Sequence, residues 1–375
     1  MRGWFCAVGL FVIGAIAVCS TFPLLMGDAA RGQALLGSQG CITCHSLNGD
    51  GGQTAPDLGA RGGRGFSPAE MAAFMWDHAP RMWTAMARPK VARPSLSEQQ
   101  AADLFAYFYV ARYFDLPRDA GRGRDVFTAR RCAGCHAGPG AGPGGARPAK
   151  AWQAQGDPIA LACELWSHSA RMHFCMAQKG IPYPQLTSQD LTDLVTYLEK
   201  PSPAKRGLPQ PVTASSERGG KLFREKGCEA CHAGAADFRT RRTRFSLTDF
   251  AASLWNHVPE MPPERARLSY DEMRDTAAYL GALQFFEERG NTDRGRRVFA
   301  AKKCVACHGA PGSGAPDLSG KAGSITSYGM VQALWLHGPA MQDEMRRRKL
   351  SWPRFTATEM ADLVACLHGP ALKRR

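Results

Sequence analysis

One pattern of apolar and polar positions recurs four times along the chain. Each recurrence opens with a glycine followed four positions later by a large apolar residue: Gly32 and Leu36, Gly123 and Phe127, Gly219 and Phe223, Gly295 and Phe299. That spacing puts both residues on one face of a short helix. A glycine on this face lets a second helix come close, because it has no side chain to hold the backbones apart. Each recurrence closes with an amphipathic stretch of helical period, running Leu96 to Tyr107, Leu186 to Tyr197, Leu268 to Tyr279 and Phe355 to Cys366. Ser97, Thr187, Ser269 and Thr356 stand at the starts as N-caps. The pattern predicts that the glycine-aromatic face of the first helix crosses the last helix of the same repeat. No strand-rich segment interrupts it, so the expected fold is all-α.

Between these helices lies the chemistry. Nine residues after each glycine begins a Cys-x-x-Cys-His motif: Cys41-x-x-Cys44-His45, Cys132-x-x-Cys135-His136, Cys228-x-x-Cys231-His232 and Cys304-x-x-Cys307-His308. This is the attachment pattern of c-type haem: two thiols form thioethers to one porphyrin, and the histidine reaches the iron. A thioredoxin-like dithiol or half of a zinc site needs only the Cys pair. The first cysteines are 91, 96 and 76 residues apart, too far in sequence to share one metal easily and close to the size of a small domain. A unit that short has a thin apolar core, which a covalently held haem would thicken. Four covalent haem c groups are expected.

A second constellation follows every motif: Trp76-x-His78-x-x-x-Met82, Trp166-x-His168-x-x-x-Met172, Trp255-x-His257-x-x-x-Met261 and Trp335-x-His337-x-x-x-Met341. Histidine and methionine are both haem ligands, methionine giving the higher potential. Met86, Met176 and Met345 recur four residues on, but the third repeat has Arg265 there. Met82, Met172, Met261 and Met341 are common to all four and are the expected sixth ligands, beside His45, His136, His232 and His308. His78, His168, His257 and His337 are the competitors, placed either near a propionate or at a helix end before the proline. Repeat two lacks that proline, having Ala170, and adds Cys175 as a further candidate ligand.

A helix ending in the haem motif, a methionine-bearing middle and a final Leu-Ser-x-x-Glu-like helix resemble class I cytochrome c, over residues 28 to about 370. The resemblance implies an all-helical fold round a buried haem with histidine and methionine on the iron. Pro56 and Pro316 match the family's proline whose carbonyl orients the proximal histidine, Pro148 is the candidate in repeat two, and Ala235 to Phe238 offers none in repeat three. The resemblance also places haem attachment outside the cytoplasm. The expected organisation is a signal peptide or membrane anchor at 1–27, cytochrome c-like domains at 28–115, 116–200, 213–289 and 290–375, and a Pro-rich linker at 201–212. Short joints between domains one and two and between three and four suggest two dihaem halves in sequence order.

Charge and the N-terminus complete the picture. Trp4 to Met26 is almost uninterruptedly apolar after Arg2, long enough to cross a bilayer. Export to the periplasmic side is expected, with tethering to the inner membrane unless the segment is cleaved. The formal charge of +14 would be offset in part by haem propionates. Runs at Arg239 to Arg244, Arg346 to Lys349 and Lys373 to Arg375 are either solvated faces or a docking surface for an acidic redox partner. Nucleic-acid binding is not expected, since no fold motif for it accompanies the charge. The other five cysteines are an odd set that does not read as a disulfide framework.

The function expected is electron transfer between redox partner proteins, with no small-molecule substrate. The alternative is a haem enzyme or the cytochrome subunit of an oxidoreductase, a peroxidase or a sulfur-compound oxidase, with the haem of repeat two catalytic.

Overall fold

The computed structural model describes residues 25–47, 49–59, 67–87, 91–111, 118–137, 142–152, 157–199, 214–233, 246–261, 267–283, 290–318 and 325–368. The N-terminal segment apart from Leu25 and Met26, the linker at 201–212, Ala235 to Phe238, the run Arg239 to Arg244, Arg265 and the C-terminal Lys373 to Arg375 lie outside them. Among the described residues no helix is long and apolar enough to cross a membrane.

Repeat one holds α1 (Ala29–Ser38), a two-residue antiparallel ribbon β1 (Ser46–Leu47) and β2 (Asp50–Gly51), α2 (Pro68–Ala87) and α3 (Glu98–Ala111). Repeat two holds α4 (Ala120–Ala129), the single turn α5 (Ala133–His136), α6 (Pro158–Gln178) and α7 (Ser188–Leu198). Repeat three holds α8 (Ser216–Glu225), α9 (Leu247–His257) and α10 (Tyr270–Ala282). Repeat four holds α11 (Thr292–Ala301), α12 (Ser327–Arg347) and α13 (Ala357–His368). The fold is all-α.

The first helix of each repeat crosses the last, and the glycines are the reason. A Cβ built on Gly32, Gly123, Gly219 or Gly295 would stand 2.0, 2.0, 1.9 or 2.0 Å from the carbonyl oxygen of Asp103, Asp193, Asp275 or Asp362. Leu36, Phe127, Phe223 and Phe299 are buried on the same face. The four expected N-caps all form reciprocal boxes: Ser97 with Gln100, Thr187 with Asp190, Ser269 with Glu272 and Thr356 with Glu359.

The aspartates carry a clamp that the sequence reading missed. The arginine before each glycine lays its guanidinium on the aspartate at the crossing, with Nε to Oδ2 distances of 2.9 Å for Arg31–Asp103, 2.8 Å for Arg122–Asp193, 2.8 Å for Arg218–Asp275 and 2.6 Å for Arg294–Asp362. The other oxygen accepts the N–H of the first helix's N-cap, from Asp28, Asp119, Ser215 and Asn291. A buried carboxylate is tolerable when its lone pairs are this fully used. The signal was available: Arg-Gly recurs at all four sites, and an aspartate stands in the middle of every last helix.

Acid should therefore loosen the crossings. Burial alone would raise the Asp362 carboxyl, but hydrogen bonds from Arg294 and from the Asn291 N–H outweigh it and hold it below its ordinary value. Asp28 is likewise depressed: burial opposes, and the Ser215 hydroxyl and backbone N–H groups prevail. A depressed folded-state pKa contributes stability that is complete above the unfolded value and lost as pH falls through the folded one. Thermal midpoints are expected to be flat from neutral pH to about 4 and to fall below it. Calorimetry across that range checks this, and a decline beginning near pH 6 would contradict it.

The packing between repeats does not follow sequence order. The middle helix of repeat one packs on repeat four, α2 against both α12 and α13, while α6 of repeat two packs on α9 and α10 of repeat three. At the first interface Trp352 stacks on Trp76 with centroids 5.2 Å apart and meets Trp83 edge-on at 5.5 Å. Its Nε1 donates to the Trp76 carbonyl at 2.9 Å, and the Phe355 N–H donates to Asp77 Oδ1 at 2.9 Å. That carbonyl is open because Pro80, four residues on, has no N–H to fill it.

The second interface uses equivalent positions. Trp255 stacks on Tyr183 at 4.4 Å and donates to the Pro184 carbonyl, while Asn256 exchanges two hydrogen bonds with the backbone of Leu186. Arg274 and Tyr270 close on Asp157. Repeats one and three meet by a smaller contact, in which Ser215 donates to Asp28 and the Tyr109 ring lies against Gly281. The contacts run in the order four, one, three, two. The expected pairing of neighbours, one with two and three with four, is not what the structure shows: short joints limit separation but do not choose the face that packs.

Candidate haem sites

Every Cys-x-x-Cys-His motif follows directly on its repeat's first helix and folds as one tight turn. The histidine N–H donates to the carbonyl of the first cysteine at 3.0, 2.9, 3.0 and 2.8 Å in repeats one to four. Entry into the turn needs a left-handed residue, supplied by Gly40 (φ 72°), Arg131 (φ 60°), Gly227 (φ 76°) and Lys303 (φ 62°). Non-glycine residues are uncommon there, so Arg131 and Lys303 hold a mildly strained position to present the motif.

Three of the motif histidines bond a loop carbonyl, two of them that of the proline the resemblance implies. His45 Nδ1 pairs with the Pro56 carbonyl at 2.8 Å and His308 Nδ1 with the Pro316 carbonyl at 3.0 Å. In repeat two His136 Nδ1 meets the carbonyl of Arg147 at 2.7 Å, one residue before the expected Pro148. Such a bond fixes the tautomer that leaves Nε2 for iron. The corresponding loop of repeat three lies outside the described residues.

Burial pushes Cys41, Cys132 and Cys304 up to about 11, and burial likewise raises Cys228. Among the described residues no cluster of three or more His, Cys, Asp or Glu side chains forms a metal-binding group.

The second constellation is placed by the middle helices. His78, Met82 and Met86 lie on successive turns of α2, His168, Met172 and Met176 of α6, and His337, Met341 and Met345 of α12. Met82 and Met341 pack against the core shared by repeats one and four, and Met172 against that of repeats two and three. The notion that the histidine ends the helix before the proline holds only in repeat three. There α9 stops at His257 and a 3-10 turn through Pro259 leads to Met261. In repeats one and four the helix runs on through Pro80 and Pro339.

Repeat three also brings the His232 and His257 rings to 6.0 Å between centroids. His257 Nδ1 is held by Glu260 at 2.9 Å. In repeat two Trp152 lies between His136 and His168, at 5.0 and 6.3 Å. Cys175 sits on the unbroken α6, as does Cys163, whose thiol points away towards the Leu268 carbonyl of repeat three.

Four buried indole N–H groups, of Trp76, Trp83, Trp152 and Trp335, have no acceptor among the described residues. A buried unpaired donor is costly. The carboxylate edge of a haem would satisfy it, so the residues present fit that group.

Fold and motifs together define a chain of helical units, each with a Cys-x-x-Cys-His turn after its first helix and a histidine- and methionine-bearing segment in its middle. The family model for cytochrome c matches residues 29–108, 120–201 and 292–369, more than half of the chain, and the chain belongs to that family. It is a multi-domain c-type cytochrome that binds haem c covalently and serves electron transfer. Among curated proteins it is similar to the Cbb3-type cytochrome c oxidase subunit FixP of Sinorhizobium medicae (strain WSM419), 31% identical over 119 residues. That alignment covers 29% of this chain and 38% of the relative. No solved structure matches. Repeat three falls outside the family matches, yet its Arg218, Gly219 and Asp275 reproduce the crossing of the other three.

Proposed function

We propose that the protein is an exported tetrahaem cytochrome that passes electrons between redox partner proteins. The observation that carries this reading is the fourfold Cys-x-x-Cys-His turn on one repeated scaffold, including the unmatched repeat three. Cys41 and Cys44, Cys132 and Cys135, Cys228 and Cys231, and Cys304 and Cys307 attach the four groups. His45, His136, His232 and His308 are the fifth ligands, and Met82, Met172, Met261 and Met341 the sixth. The domains are 28–115, 116–200, 213–289 and 290–375.

The haem supplies one-electron iron chemistry when bound. The chain holds it, orients the proximal imidazoles through backbone carbonyls and packs apolar helices around it. Similarity to an oxidase subunit supports redox proteins as partners, and the apolar stretch 4–26 supports export with an anchor or signal. Two ligands on each iron leave no site for a substrate, so the role is that of a carrier.

Pyridine haemochrome assay and intact mass should give four covalent haems per chain, and Cys228→Ala with Cys231→Ala should remove one. Three haems in the unaltered protein would overturn the count. Carbon monoxide binding at one haem of the native protein would overturn the carrier reading in favour of an enzyme.

A further inference from the structure

The interface between repeats one and four and that between repeats three and two are one interface used twice, position by position. Trp76 and Trp255 are the tryptophans of the second constellation in repeats one and three. Each carries a stacked ring from the residue ten positions before the crossing aspartate of the other repeat, Trp352 or Tyr183, at 23° and 22° between planes. The next residues, Asp77 and Asn256, each accept on Oδ1 the N–H of the residue seven positions before that aspartate, Phe355 or Leu186, at 2.9 and 2.8 Å. In the other direction Thr326 and Asp157, the N-caps of α12 and α6, meet Glu98 and Tyr270, each five positions before its own crossing aspartate. Repeat three therefore plays the part of repeat one, and repeat two that of repeat four.

The contact between repeats one and three joins equivalent positions to each other. Ser215, the N-cap of α8, donates to Asp28, the N-cap of α1, at 2.6 Å. Tyr109 and Gly281 both stand six residues after a crossing aspartate, and a Cβ on Gly281 would lie 2.4 Å from the Tyr109 ring. Exchanging repeat one with three and two with four thus returns each of these contacts to its counterpart or to itself. That is how the subunits of a two-fold dimer are related, and here the subunits are the two halves of one chain.

The halves are matched rather than identical at these positions. Tyr109 faces a glycine, and the Asp28 carboxylate faces a hydroxyl donor. Repeats one and two meeting a copy of themselves would set Tyr109 on Tyr109, Asp28 on Asp28 and Asp157 on Glu98, which brings overcrowding and like charges. Repeats three and four meeting their own copy would set Gly281 on Gly281 and would place the Arg274 guanidinium, which closes on Asp157, opposite Thr326 instead. We propose that the two halves are mutually specific binding partners. Repeats three and four present a surface that recognises repeats one and two, holds without the peptide connection and rejects a second copy of either half.

The test uses the full holoprotein with a protease site placed in the Pro-rich stretch 201–212 and cut after purification. Cut protein should elute undivided at micromolar concentration, and native mass spectrometry should find one copy of each half in every complex. Halves that separate, or that pair with copies of themselves, would overturn the proposal.

Gly281→Leu should weaken the association of the cut halves by about tenfold or more. Adding Tyr109→Ala should restore most of that loss, because the bulk then comes from the other side of the contact. Haem content of each half reports whether its units remain folded. If Gly281→Leu strips repeat three, Ser215→Asp decides: it keeps an N-cap residue but sets a second carboxylate against Asp28, and Asp28→Ser is its rescue. Association unchanged by both Gly281→Leu and Ser215→Asp would overturn the matching of the halves.

Discussion

Gly219→Ala is expected to unfold repeat three and strip its haem. The added methyl would sit 1.9 Å from the Asp275 carbonyl oxygen and 2.8 Å from Tyr279 Cβ, both on the opposing helix rather than at the end of a flexible side chain. Neither can yield unless α8 and α10 separate. Separation would break the Arg218–Asp275 clamp and the Ser215 N–H bond to the same carboxylate. Overpacking of this kind, with loss of a buried ion pair, costs about 3 kcal/mol or more. That is a large share of the stability of a small unit.

Purified Gly219→Ala protein should carry one haem fewer, with the rest of the chain still folded, and should show a lowered unfolding midpoint. Repeat three is the informative place for this change because the family model does not reach it. Unaltered haem content and midpoint would mean that its helices do not cross as described.

Trp352→Ala should separate repeat four from repeat one. The indole stacks on Trp76, meets Trp83 at 88° and donates to the Trp76 carbonyl, so its removal takes away two aromatic contacts and one interdomain hydrogen bond. Truncating a large aromatic in a packed site costs about 3 kcal/mol, with aromatic pairing contributing roughly 0.5–1.5 kcal/mol per contact. Each repeat has its own helix crossing, so the expected outcome is loosened docking rather than collapse. Denaturant unfolding should change from one transition to two, and protease should cut between the units. A single unshifted transition would count against the pairing of repeats one and four.

The local layer of this structure was legible because it is written in short-range chemistry. The Gly-to-aromatic spacing, the capping residues before each last helix and the cysteine motifs all act within about a dozen positions of sequence. The Arg-Gly and mid-helix Asp positions are equally visible in the sequence, but they stand 57 to 72 residues apart and pair only once the helices cross.

The long-range layer was not legible. Trp76, Tyr183, Trp255 and Trp352 read as apolar residues of their own repeats, and only the fold shows that each faces a different repeat. Pro148 was one position out for a simple reason: a carbonyl belongs to whichever residue the loop turns towards the imidazole. The prolines of the second constellation look alike in sequence, yet α2 and α12 run on through Pro80 and Pro339 while α9 stops before Pro259.

In repeat one the carbonyl that Pro80 leaves open has an owner. Pro80 lets the Trp76 oxygen point out of α2, and Trp352 takes it. Repeat two, with Ala170 in the corresponding place, has its Trp166 oxygen occupied from within by the Ser169 hydroxyl. A gap in one helix's ladder thus works as an address label, readable by a single partner elsewhere in the chain. Pro339 opens the same kind of gap in α12, so what makes the label specific is its reader, and Trp352 travels with repeat four wherever that unit stands in the polypeptide.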